Sequence, residues 1–149
     1  MPRAHTSESF RFTVAARPSE AFALFGADRE RAWAPGWNPT LLWPRPADDR
    51  AGMVFEADRA EGRATWVNTR FDPASGEVEY VYVLPGVVAT RISIHLETAG
   101  QGTAVAVRYE RTSLAPAADE PVRRMARDDA AAGPEWEAQI ATYLRARPP

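Results

Sequence analysis

The sequence predicts an α+β protein: a curved antiparallel sheet of about seven strands around a C-terminal helix, with two short helices after the first strand. Three observations carry this. Apolar and polar residues alternate along most of the stretch from Ser9 to Thr112, which is the two-residue period of strands with one buried face. The connectors between the later runs are short and hold proline or glycine, as hairpins require and helical crossovers do not. Beyond Asp119 the apolar spacing changes to three and four residues, the period of an amphipathic helix.

The first strand spans Ser9 to Ala15, where Phe10, Phe12 and Val14 alternate with Arg11 and Thr13. Pro18-Ser19-Glu20 opens a short helix carrying Ala21, Phe22, Leu24 and Phe25, because proline costs nothing in a first helical turn, and Gly26 ends it. A second short helix runs from Asp28, its expected cap, to Trp33, with Pro35-Gly36 as the stop. Strands are then expected at Thr40 to Pro44, Met53 to Ala57, Ala64 to Phe71, Val78 to Leu84, Thr90 to Glu97 and Thr103 to Thr112. Asp72 to Gly76, Pro85-Gly86 and Ala99 to Gly102 supply the reversals, so sequential strands pair as a meander. The last helix is capped by Asp119 and presents Val122, Met125, Ala126, Asp129, Trp136, Ile140 and Leu144 on one face. Pro134 cannot sit in a helix interior without losing a hydrogen bond, so a kink or break is expected at Gly133-Pro134.

At 149 residues the chain reads as one domain, 1–149, with a core large enough to need neither disulfides nor structural zinc. It has no cysteine and no lysine, which excludes thiolate nucleophiles, cysteine-ligated metals, Schiff-base chemistry and the P-loop lysine. A net charge of −2, with both signs spread along the chain, argues against a general nucleic-acid surface. No stretch has signal-peptide or membrane-span length and hydrophobicity, so a cytoplasmic protein without integral membrane association is expected, as monomer or homodimer. His95 alternates with Ile92, Ile94 and Leu96 and should face solvent, and His5 lies in a tail, so neither supports a metal site or a triad. No cofactor or metal is expected. Gly100-Gln101-Gly102 joins two strands and reads as a hairpin instead of a phosphate loop. Acidic pairs such as Asp128-Asp129 read as solvated faces or caps.

As a set, several segments resemble the START-like, or SRPBCC, superfamily over nearly the whole length. They are Phe12 to Ala15 with Pro18 to Phe22, Trp33-Ala34-Pro35-Gly36-Trp37-Asn38-Pro39, Thr65-Trp66-Val67, Tyr80 leading to Pro85-Gly86, and Glu135 to Ile140 with Tyr143-Leu144. Within it the chain is similar to bacterial polyketide cyclase/dehydrase-like proteins and to relatives of the heat-shock-protein ATPase activator homology domain. The resemblance implies a helix-grip fold, in which a bent sheet closes around the terminal helix, and a cavity between them. It implies little about chemistry, because fold does not carry function. It assigns no role to Tyr82 or Arg111, and Pro134 departs from its usually continuous terminal helix.

The candidate ligand-binding residues are Trp33, Trp37, Trp43, Phe55, Tyr80, Tyr82, Tyr109, Arg111, Met125 and Trp136. Trp33, Trp37 and Trp43 could rim a cavity mouth, where rigid rings with a polar edge suit an amphipathic ligand, or could simply fill core. Opposite Glu77 and Glu79, residues Val78, Tyr80 and Tyr82 should face inward, and Tyr109 shares the inner face with Val105, Val107 and Arg111. Buried phenols need partners from ligand or backbone. An inward arginine needs a carboxylate, an anionic ligand head or solvent. Along Ala64 to Phe71, either Thr65, Val67, Thr69 and Phe71 or Trp66, Asn68 and Arg70 face inward, the former set being preferred.

The expected function is binding of a small hydrophobic or amphipathic molecule between sheet and helix. The alternatives are a cyclase/dehydrase-like enzyme using cavity tyrosines or Arg111, and a protein-interaction module.

Overall fold

The computed structural model describes residues 2–147. Seven strands form one antiparallel sheet: β1 (His5–Val14), β2 (Thr40–Trp43), β3 (Val54–Arg59), β4 (Gly62–Asp72), β5 (Glu77–Leu84), β6 (Val88–Ala99) and β7 (Gly102–Ser113). Their order across the sheet is β1-β7-β6-β5-β4-β3-β2. From β2 to β7 the strands form a meander, as the short turns require. The β6 to β7 reversal pairs Ala99 with Gly102 and turns on Gly100, whose φ is +59°. β1 closes the order by pairing with β7 from His5↔Thr112 to Val14↔Thr103.

After β1 a single α-helical turn, α1 (Pro18–Ala21), tightens into a 3-10 turn at Phe22–Phe25, and a second 3-10 turn covers Arg29–Ala32. Asp28 does not cap that second turn with its own side chain. The Asp49 carboxylate, from the loop before β3, accepts the N–H groups of Asp28 at 2.9 Å and Arg29 at 3.2 Å. It packs so closely on Gly26 that a methyl group there would lie 2.2 Å from its oxygen. The helix start is therefore served by a residue distant in sequence, which local capping rules cannot see.

The terminal helix is divided. α2 (Asp119–Ala130) and α3 (Gly133–Ala146) meet at Ala131-Ala132, and Pro134 occupies the first turn of α3, where its missing N–H leaves no bond unmade. Asp119 is the first residue of α2 and does not cap it; its carboxylate instead accepts the Ala4 N–H at 3.0 Å and pairs with Arg3 at 3.4 Å, tying the N-terminal strand to the helix. α2 lies on β1 and β7, and α3 lies on β1. At the break, Gly133 is buried against Phe10.

The core fills the space between the inner sheet face, α2, α3 and the short helices, with Phe25, Met53, Phe55, Val88, Val122 and Ile140 almost wholly buried. β4 corrects one expectation. Ala64, Trp66 and Asn68 face inward, and Thr65 and Thr69 face out. A register shift between Asn68 and Arg70 then changes the phase, so that Phe71 packs against Phe22 with ring centroids 4.7 Å apart. An inserted residue of this kind breaks strict alternation, so neither uniform reading of the strand describes all of it.

Candidate functional site

The sheet's inner face, α3 and the irregular segment after the second 3-10 turn enclose an open cavity of about 360 Å³. Six rings line one part of its wall: Trp33, Trp37, Phe55, Trp66, Tyr80 and Trp136. They are locked by one another and by the backbone. Trp33 Nε1 donates to the Leu24 carbonyl and Trp37 Nε1 to the Ala27 carbonyl, both at 2.7 Å, which anchors the segment with its Pro35-Gly36 turn. Phe55 stacks on Trp66 at 5.4 Å between centroids, and Trp37 meets both edge-on. Trp136 reaches from α3 to Phe10 at 5.2 Å and Trp33 at 5.6 Å, so one side chain joins helix, first strand and short-helix segment. Tyr80 contributes its ring while its hydroxyl donates to the Phe25 carbonyl at 2.6 Å. Such mutual packing holds aromatic faces rigid, which lowers the entropy lost when a flat molecule lies against them.

The polar part of the wall comes from Glu30, Arg59 and Tyr109. Glu30 is half-buried at the centre of the second 3-10 turn. Burial, reinforced by the Asp49 charge and opposed by Arg59, raises its carboxyl pKa well above the ordinary value. Burial likewise raises the pKa of the Tyr109 phenol, so it stays neutral. The Arg59 guanidinium lies 5.9 Å from the Trp66 ring centre and 5.5 Å from that of Tyr82. Among the described residues no side chain pairs with Glu30 or Arg59, whereas the rim carboxylates are engaged: Asp58 pairs with Arg63 at 2.9 Å and Glu135 accepts from Gln139 at 3.0 Å. Trp66 Nε1 is buried without an acceptor.

Of the residues singled out from sequence, Trp33, Trp37, Phe55, Tyr80, Tyr109 and Trp136 come together on this cavity. Trp43 does not. It stands 50% exposed on the edge strand β2, with Arg50 stacked over it at 4.7 Å, after a register shift between Leu41 and Trp43 has broken the strand's alternation. Tyr82, Arg111 and Met125 line a separate recess beside α2, with Arg59 on the wall common to both. There Arg111 is held by the protein itself. Its Nε and Nη2 donate to the two Asp129 oxygens at 2.7 and 2.8 Å, and Nη1 donates to the Tyr82 and Thr90 hydroxyls. Arg111 is 3% and Asp129 7% exposed, so the fork-to-carboxylate pair is buried on both sides, with four of the five guanidinium N–H groups donating to protein oxygens. Asp129 is thus neither a solvated face nor a cap.

Glu30 and Arg59 escaped the sequence reading. Glu30 looked like an ordinary acidic residue of a first helical turn, and Arg59 sits at the end of β3, past the last inward residue that alternation predicts. A faint signal existed for Arg59: Phe55 and Ala57 fix the inner face of β3, and position 59 continues it. Among the described residues no group of His, Asp and Glu is arranged to hold a metal ion, and no helix is long and apolar enough to cross a membrane.

No family model matches the chain, and no curated protein matches it. Solved structures do. Norcoclaurine synthase from Thalictrum flavum superposes with a TM-score of 0.73 at 12% identity, over 98% of this chain and 90% of that one. Ara h 8.0201 gives 0.68 at 13% identity, over 97% and 100%. CalU16 from Micromonospora echinospora gives 0.67 at 16% identity, over 99% and 85%. These likenesses show the fold: the bent seven-stranded antiparallel sheet, with short helices after its first strand and a terminal helical segment packed on it, is a helix-grip fold.

Proposed function

We propose that this protein binds a small, flat, amphipathic aromatic molecule in the cavity between sheet and α3. The observation that carries the reading is the composition of that wall. Six rings, packed as Trp33 with Trp136 and as Trp37, Phe55, Trp66 and Tyr80, line a space within the range of about 300–1,000 Å³ usual for small-molecule sites, and Glu30 and Arg59 face it without ion-pair partners. Apolar burial at about 25 cal/mol per Å² would supply the affinity, and the polar pair would set the orientation. A similar structure, norcoclaurine synthase, has been solved in complex with dopamine and hydroxybenzaldehyde, two small aromatic compounds. The test is quenching of intrinsic tryptophan fluorescence by naphthalene-sized aromatics, repeated with Gln139→Trp, which places a bulky ring at the mouth. Saturable quenching abolished by that substitution supports the reading; quenching that is linear, or indifferent to it, opposes it.

A catalytic reading needs groups free to polarise or protonate a ligand. Tyr80, Tyr82 and Arg111, the sequence-based candidates, are held by the Phe25 carbonyl, by Arg111 and by Asp129 respectively. Any such role therefore moves to Glu30, Arg59 and Tyr109, and Glu30→Gln should then lower turnover while leaving binding intact.

A further inference from the structure

The polar groups of the cavity share a bias toward donation. Arg59 has only N–H groups to offer and no protein acceptor. Trp66 is 5% exposed, and its Nε1, again a donor only, is buried with nothing to receive its hydrogen. The Tyr109 hydroxyl has no hydrogen-bond partner among the described residues. The two carboxylates that would favour a cation at the rim, Asp58 and Glu135, are already engaged by Arg63 and Gln139. An aromatic cage alone would suit an organic cation, but an unneutralised guanidinium inside it repels one. What fits this wall is a planar ring system carrying an oxygen acceptor with negative charge.

Building on the binding function proposed above, we infer that the cavity selects a planar aromatic carboxylate, held by Arg59 with Tyr109 as a further donor, and that Glu30 makes its uptake favour low pH. Glu30 is the one group there that can change sign of effect. Protonated, it is a third donor; ionised, it places a second negative charge beside the ligand's. The groups facing it are Asp49 from the loop before β3, Arg59 from β3, Tyr80 from β5 and Tyr109 from β7, with Glu135 of α3 at the rim. On its own turn Asp28 is occupied by Arg31 at 3.0 Å. Burial and Asp49 favour the protonated form and Arg59 opposes it. Burial keeps the two tyrosines neutral, and it raises the carboxyl pKa of Asp49 as it does that of Glu30.

The experiment is calorimetric titration of the whole protein with three probes of one skeleton: 2-naphthoate, 2-naphthamide and 2-naphthylmethylammonium. At about pH 6 we expect 2-naphthoate to bind at least about tenfold more tightly than the amide, with the ammonium weakest. The naphthoate advantage should shrink toward about pH 8, while amide binding stays level. Glu30→Gln should flatten the pH dependence and keep the preference for the carboxylate. Arg59→Gln should bring carboxylate and amide to equal affinity, and a near-UV circular dichroism spectrum and melting temperature matching the native protein show that this variant keeps its fold. Equal or tighter binding of the amide or the ammonium to the native protein overturns the inference while leaving the binding function standing. Loss of carboxylate binding in Glu30→Gln with retained amide binding overturns the part assigned to Glu30. Failure of all three probes to bind overturns the binding function itself.

Discussion

Asp129 shows how much one side chain can hold in place. Its carboxylate takes both forks of the Arg111 guanidinium at the junction of β7 and α2, and removing it would leave an arginine buried with no counter-charge. Asp129→Ala should therefore cost about 3–5 kcal/mol in urea-denaturation stability, whereas replacing both partners by apolar residues of similar volume should cost far less. Glu30 works in the opposite sense. Its folded-state pKa is raised, so its contribution to stability is fully present below the unfolded value and is lost as pH rises through the folded value. Glu30→Gln should thus melt above the native protein at about pH 8 and match it near pH 4, a difference thermal scans at the two pH values will show. The inward direction of Arg111 was legible from its phase with Val105, Val107 and Tyr109. Its partner was not, because adjacent Asp128 and Asp129 look alike in sequence and only the docking angle of α2 buries the second.

At the scale of elements, the number and order of the strands and their turns could be read, since period and turn chemistry are local properties, although β1 begins at His5 instead of Ser9 and the face of β4 is opposite to the one preferred. Gly76 is one position where the turn demands its residue: its φ is +72° and a methyl group there would sit 2.3 Å from the Leu96 carbonyl oxygen. Gly76→Ala should destabilise the protein by more than about 1 kcal/mol, measurable by chemical denaturation, because backbone on both sides must shift. Pro134 likewise announced the division of the terminal helix. What sequence could not supply were the features made by distant segments, above all the Asp49 cap on the second 3-10 turn. Asp49→Ala should lose about 1–2 kcal/mol and loosen the turn that carries Glu30, observable as faster amide exchange at Asp28 and Arg29.

For the molecule as a whole, the bent sheet, the divided helix and the Trp33–Trp37 segment meet around one aromatic space, and the central claim is that this space takes a small molecule. Of the rings in its wall, Phe55 and Tyr80 were legible from strand phase and Trp33, Trp37 and Trp136 from their clustering and helical spacing, whereas Trp66 was missed because the preferred phase of β4 turned it outward. The polar part of the wall was not legible, since Glu30 and Arg59 become cavity residues only when the sheet bends toward the short helices. The five tryptophans offer the most direct test, because each has one indole N–H signal in a ¹H–¹⁵N spectrum. Titration with 2-naphthoate should shift the Trp66 and Trp136 signals saturably at one shared affinity and leave the exposed Trp43 unmoved. Shifts confined to Trp43, or none at ligand concentrations up to about a millimolar, would contradict the claim.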